Sequence, residues 1–205
     1  MGYDLYGLSP SNEQVPDCDF SDEKTTKAYF AWQRNTKGAY FRQNVWGWRP
    51  VWRYVMENCG DIISVEDAQR GSYNDGHEIT KEKAKLIANR INSLNKSGDL
   101  VSYARTYATE MDSLPDEECK ICNGTGTRKE WEGWQSEKLW LMHHDSLNEN
   151  GDGIGGYSWA KECNGCNSCH GLGKVKDFDR SYPFEVESML EFAEFCEYSG
   201  GFRIC

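Results

Sequence analysis

Cys119-Lys-Ile-Cys122-Asn-Gly124-Thr-Gly126 and Cys166-Asn-Ser-Cys169-His-Gly171-Leu-Gly173 are two copies of one phrase, C-x-x-C-x-G-x-G. Two cysteines three positions apart can turn both sulfurs to a common point only where the chain bends sharply. The glycines supply that bend, because they accept positive φ without a Cβ penalty. Together the phrases offer four thiolates, the set a tetrahedral zinc site needs. Held together without a cation, four thiolates would repel, so metal binding and local folding are expected to be one event. The reading is Zn2+ on Cys119, Cys122, Cys166 and Cys169. A thiol–disulfide pair is the other known use of C-x-x-C. Cys163 lies three residues before Cys166 and offers an overlapping C-x-x-C, so it is the candidate to swap into the ligand set, while Gly171 and Gly173 favour Cys166 and Cys169. His170 reads as a solvated imidazole beside a ligand.

The repeated phrase resembles half of the cysteine-rich zinc domain of the DnaJ (Hsp40) chaperones, in which two such phrases share one zinc. The resemblance covers 119–126 and 166–173, and it implies a zinc-knuckle lobe holding one zinc ion. The chain has no His-Pro-Asp sequence, so stimulation of Hsp70 is not implied.

Composition bounds the rest. The chain has 205 residues, with Lys+Arg 23 against Asp+Glu 33 and a net charge of −10. That balance argues against a general affinity for nucleic-acid backbone or for an anionic membrane, and suits basic protein surfaces. No stretch approaches 18 consecutive apolar residues, and the N-terminus lacks a basic and apolar leader, so a cytoplasmic protein is expected. Nine cysteines in metal spacing read as reduced thiols, with Cys18, Cys59, Cys196 and Cys205 buried or spare.

Charge is segregated along the chain. Residues 1–23 carry six acids and no base and read as an extended start followed by a loop. Residues 24–56 carry Lys24, Lys27, Arg34, Lys37, Arg42, Arg49 and Arg53 with no acid, interleaved with Tyr40, Phe41, Trp46, Trp48, Trp52 and Tyr54. Guanidinium groups fork onto phosphates and flat rings stack on bases, so Arg42, Arg49 and Arg53 with Trp46 and Trp48 are the candidate anion or nucleotide site. The competing reading is a helix opening near Pro50, with Trp48, Val51, Trp52, Tyr54 and Val55 as core and the arginine stems laid over them.

Downstream, Thr80 reads as an N-cap for a helix over 81–95 with Ala84, Ile87, Ala88, Ile91 and Leu94 on one stripe. Gly98 stops it, and a second helix over 99–113 is expected to fold back on the first as a helical hairpin. In Asn74-Asp75-Gly76-His77, the pair Asp75 and His77 is either acid–base machinery or a turn capping that helix. The insert between the knuckles holds Trp131, Trp134, Trp140 and Trp159, then His143-His144 and a weak calcium-loop pattern from Asn148. Large aromatics on a loop pinned at both ends suit a partner surface, with Trp131 and Trp134 as anchors, or they close over the knuckles. A last helix over 183–198 opens at Pro183 and stops at Gly200, and Phe202 and Ile204 are expected to tuck into the core.

The opening Met1-Gly-Tyr-Asp-Leu-Tyr-Gly7, the run Tyr40-Phe-Arg-x-Asn-Val-Trp-x-Trp-Arg-Pro-x-Trp52, the Asn74-Asp-Gly-His77 turn and the closing Ser199-Gly-Gly-Phe-x-Ile-Cys205 are similar to small phage and prophage proteins without an assigned activity. The expected fold is α+β, a mainly helical single domain with a zinc-stapled β-hairpin lobe: 1–115 and 174–205 form the helical and aromatic core, and 116–173 the DnaJ-like lobe with its Trp-rich insert. The expected function is a zinc-stabilised, non-catalytic binding protein, a phage accessory factor that engages a host protein, with countering of host defence as one such task. The alternative is a binder of, or enzyme acting on, a nucleotide or phosphate ligand through 34–54. Against an enzyme, the chain lacks a phosphate-cradling glycine loop, G-x-S-x-G and H-E-x-x-H.

Overall fold

The computed structural model describes residues 2–12, 14–126, 166 and 168–205. Trp131, Trp134, Trp140, Trp159, Cys163, His143-His144 and the pattern from Asn148 lie outside the described residues. The chain divides into two compact units, Met1–Asp112 with Ser181–Cys205, and Ser113–Arg180.

The first unit is α+β. Strand β1 (Gly2–Gly7) alternates half-buried and buried residues, the period-2 signature of a strand with one covered face. It pairs antiparallel with β2 (Tyr40–Asn44), Leu5 opposite Phe41, and with β6 (Phe202–Ile204), Leu5 opposite Ile204. Strand β3 (His77–Ile79) joins the far side of β6, giving the order β2-β1-β6-β3. The expected tucking of Phe202 and Ile204 is therefore the insertion of a central strand, and both side chains are fully buried.

Helices cover the inner face of this sheet. Helix α1 (Glu23–Asn35) starts at Asp22, whose carboxylate accepts the N–H groups of Lys24 and Thr25, and none of its residues is buried. Helix α2 (Val45–Asn58) begins five residues before Pro50, because Asn44 caps it by accepting the Gly47 N–H. Pro50 thus lies inside the helix rather than at its start. Trp48, Val51, Trp52, Tyr54 and Val55 are buried, as the core reading expected. Trp48 stacks on Trp52 at 5.4 Å and meets Phe192 edge-on at 5.5 Å.

The short helix α3 (Val65–Arg70) is held against these indoles: Trp48 Nε1 donates to Gly71 O at 2.8 Å and Trp52 Nε1 to Ala68 O at 3.0 Å. Helix α4 (Lys81–Ser97) is capped by Thr80, and Gly98, at φ 85°, ends it in the left-handed conformation that favours glycine. Of its stripe, Ala84, Ile87, Ala88 and Ile91 are fully buried and Leu94 partly so.

Helix α5 (Asp99–Ser113) follows, but the expected hairpin does not close. Instead α4 packs chiefly along helix α6 (Val186–Tyr198), whose Met189, Phe192, Ala193 and Cys196 present the complementary stripe. α5 turns Tyr103 and Tyr107 toward Phe184, at 4.9 and 5.9 Å. The connection is short, yet the left-handed turn at Gly98 sends α5 elsewhere, and apolar matching, not proximity in sequence, selects the partner. α6 starts at Val186 after Glu185, three residues later than expected from Pro183, and carries no side-chain cap.

Phe202 touches both Phe192 and Phe195, at 5.9 and 5.5 Å, and sits on the strand that joins two halves of the sheet. Phe202→Ala is expected to cost about 3–5 kcal/mol in urea unfolding, whereas Arg203→Ala, on the exposed face of the same strand, should cost well under half of that.

Candidate metal centre

The second unit brings the two cysteine phrases together. Strands β4 (Glu117–Glu118) and β5 (Lys174–Val175) pair antiparallel, and the first phrase leaves β4 as the second runs into β5. Each knuckle then repeats the other. Cys119 N donates to Gly173 O at 2.9 Å, and Cys166 N to Gly126 O at 2.6 Å. Gly124 N donates to Cys119 O at 3.2 Å, and Gly171 N to Cys166 O at 3.1 Å. The arrangement is a local pseudo-twofold in which each knuckle closes the other.

The downstream glycines are required twice over. Gly126 and Gly173 have φ of 75° and 74°, and a Cβ on Gly126 would run into Gly171 O, one on Gly173 into Gly124 O. Their N–H groups donate to sulfur: Gly126 to Cys122 Sγ at 3.2 Å and Gly173 to Cys169 Sγ at 3.3 Å. Such bonds favour thiolate over thiol.

The four sulfurs form one cluster. Cys119 Sγ lies 3.9 Å from Cys166 Sγ, Cys122 Sγ lies 3.7 Å from Cys169 Sγ, and all four fall within 4.8 Å of one another. All four residues are buried. The electrostatics are frustrated by the sulfurs alone. At Cys119, burial raises the thiol's pKa, but the N–H groups of Cys122 and Ile121 and the adjacent thiols outweigh it and bring it down to about 6. At Cys122, burial and the neighbouring thiols push it up to about 11 against the pull of Gly126 N–H. Sulfurs this close resist ionising together, and a cation among them would relieve that repulsion. The four cysteines could hold a metal ion.

The other candidate residues are dispersed. Arg42, on β2, faces Asp4 at 3.6 Å. Arg53 is bonded to Glu57 at 2.7 Å and covers the Tyr107 ring. Arg49 donates to Tyr182 Oη at 2.5 Å and lies over its ring. Trp46, partly exposed, meets the same Tyr182 at a tilt at 4.9 Å, while Trp48 is fully buried. Arg49 and Trp46 thus share Tyr182, whereas Arg42 and Arg53 each answer to a separate acid.

Asp75 and His77 do not pair. Asp75 is bonded to Arg70 at 3.2 Å, and His77, on β3 rather than in a turn, gives its Nε2 to Asp67 at 2.9 Å. Asp67 is buried and also receives Lys83 Nζ and the Ser64 N–H, the latter at 2.7 Å. Burial would raise the Asp67 carboxyl, but the bonds from Lys83, Ser64 and His77 outweigh it and hold it well below the usual carboxylate range. Asp67 and Lys83 are absent from the sequence reading. The capping box Ser64-x-x-Asp67 was the available signal, and it marks a helix start without showing that His77 and Lys83 converge there. No family model, characterised protein or solved structure matches the chain.

Two predictions follow from these geometries. Because the knuckles are equivalent, Cys122→Ser and Cys169→Ser should lower bound metal per chain by the same amount, and Gly126→Ala should act like Gly173→Ala; metal analysis of the purified variants reads this. Asp67→Ala leaves His77 and Lys83 without their acceptor and is expected to cost about 3 kcal/mol at pH 7. A carboxyl depressed by folding stabilises fully above its unfolded value of about 4 and loses that contribution as pH falls through the folded value. The stability gap between the wild-type chain and Asp67→Asn, read by chemical unfolding, should therefore shrink as pH is lowered from about 5 to about 2.

Proposed function

We propose that the chain is a zinc-stabilised, non-catalytic binding protein, an accessory factor of phage origin that engages a host protein. The observation that carries the zinc reading is the buried cluster of four sulfurs in two reciprocal knuckles. A Zn–S length near 2.3 Å puts tetrahedral sulfurs about 3.8 Å apart, and the 3.7 and 3.9 Å pairs fit that spacing. Thiolate donors select zinc over hard cations such as calcium or magnesium. With all four positions filled by cysteine, the ion would lack the open site that metal catalysis uses, so its role is to staple the β4–β5 hairpin lobe.

Partner binding rests on the sequence: the Trp-rich insert lies between the two cysteine phrases, and tryptophan is a preferred interface anchor. The resemblance to phage and prophage proteins supports the source. The nucleotide reading has less behind it, because Arg42 and Arg53 are held by Asp4 and Glu57 and do not present a common anion site with Arg49.

Native mass spectrometry before and after a strong chelator tests the staple. The expected result is one zinc per chain, lost together with the folded second unit. Affinity capture from a host lysate tests the partner: the expected result is one enriched protein, lost on Trp131→Ala with Trp134→Ala. A metal-free folded protein refutes the first half, and capture that survives both substitutions refutes the insert as the anchor.

A further inference from the structure

Where α2 and α6 begin, the first unit has a surface cavity of about 120 Å³. Trp46, Val51 and Pro183 wall it, and Gln43, Glu185 and Ser188 give it polar groups. Trp46 is 37% exposed, so part of its indole is open to a ligand. The volume is well below the range of about 300–1,000 Å³ of ordinary ligand pockets, and it admits one ring system rather than a large molecule.

The polar groups of this cavity are left with bonding capacity unspent. Glu185 precedes α6 without capping it. Its Oε2 accepts the Ser188 hydroxyl at 3.3 Å, and the carboxylate has no ion pair among the described residues. The side-chain amide of Gln43 has no hydrogen-bond partner among them either. A Cβ on Gly47 would come within 2.4 Å of Gln43 Oε1, so the glycine lets that amide lie against the first turn of α2. The occupant can be narrowed by charge. A cation would suit Glu185 but would face the positive ends of two helix dipoles and leave the Gln43 N–H groups unused. An anion would meet the Glu185 charge, and no described Lys or Arg lines the cavity to offset it. A neutral flat ring with an N–H edge and a carbonyl beside it conflicts with neither.

From this balance we infer that the cavity is a binding site for guanine, as the free base or nucleoside. Guanine N1–H and the 2-amino group would donate side by side to the Glu185 carboxylate, O6 would accept from the Gln43 amide, and the ring would lie on Trp46. Adenine presents one donor beside an acceptor on the same edge, so it would set a lone pair against the carboxylate. The net charge of −10 opposes a polynucleotide as the source of the base. Arg42, Arg49 and Arg53 do not line the cavity, so the site is independent of those dispersed arginines. It also lies wholly in the first unit and goes beyond the staple and partner reading.

Titration of the isotope-labelled full chain with guanosine, followed by NMR through the Gly47 N–H and the Gln43 side-chain amide, tests it. The expected result is saturable shifts with a Kd between about 0.1 and about 1 mM, as befits a single small ring. Inosine, which lacks the 2-amino group, should bind about fivefold more weakly, and adenosine about tenfold more weakly. Glu185→Gln should weaken guanosine about tenfold. Glu187→Gln, on the same helix but outside the cavity, should change it less than about twofold, which separates a contact from a change in net charge. Both glutamates are exposed, so thermal unfolding and bound metal should be unchanged in both variants, and a loss of guanosine binding is then not a loss of fold or staple. The inference is overturned if guanosine gives no saturable shift, if inosine binds as well, or if Glu185→Gln is without effect. It is equally overturned if N-acetyl-argininamide or inorganic phosphate displaces guanosine at comparable concentration, since the occupant would then be an ion. A single-stranded hexanucleotide with one guanine that binds about tenfold more tightly than guanosine would overturn the free-ligand assignment in favour of a strand.

Discussion

The first unit depends on a strand that the chain supplies last. β6 must satisfy hydrogen-bonding groups on both edges, and it does so by pairing with β1 on one side and β3 on the other. Without residues 202–204 the sheet would be two fragments, β2-β1 and a three-residue β3, each with an open edge and a half-covered apolar face. Phe202 and Ile204 then set where the helices go: Phe192 and Phe195 of α6 meet Phe202, and Phe192 in turn meets Trp48 of α2 and Phe41 of β2. The core is therefore complete only when residues 2–7 and 202–204, far apart in sequence, have paired. The second unit lies between the two contributing segments in sequence, so it can vary without altering the elements of this sheet.

In the second unit the constraint is electrostatic instead of apolar. Four buried sulfurs within 4.8 Å cannot all be thiolates without a cation, and backbone N–H donors to sulfur do not supply a full positive charge. The reciprocal backbone bonds of the knuckles bring the sulfurs together, and the same geometry makes their charge costly. A metal ion held by these four sulfurs would therefore be coupled to the fold of this unit.

Much of this was legible in the residues. The repeated phrase located all four cysteines and the paired glycines, because spacing and positive φ are local demands. The α4 stripe, its Thr80 cap and its Gly98 stop were legible for the same reason. What sequence did not convey were pairings between distant segments. Nothing around Lys81–Ser97 says that its stripe meets α6 rather than α5. The Asp75–His77 proximity in sequence concealed that His77 answers to Asp67, ten residues upstream, since Asp75 lies before the strand and the positive-φ turn at Gly76 separates the two residues. The extended backbone at Asn44 moved the start of α2 ahead of Pro50, because a cap that accepts the Gly47 N–H outweighs the preference of proline for a first turn.

The aromatic residues show where local reading reaches its limit. Trp48 and Trp52, and Phe30 and Trp32, belong to one basic, aromatic stretch, and composition treats them alike. Their fates differ because of neighbours that arrive from elsewhere: α3 offers carbonyl acceptors to the two indole N–H groups of α2, and α6 offers Phe192 to Trp48. Nothing comparable reaches Phe30. A tryptophan in the interior needs both an apolar surrounding and an acceptor for its N–H, and α2 finds both. Phe20 and Phe30, with no such neighbours to bury them, stay at the surface, so the same residue type is core or surface according to which distant segments fold against it.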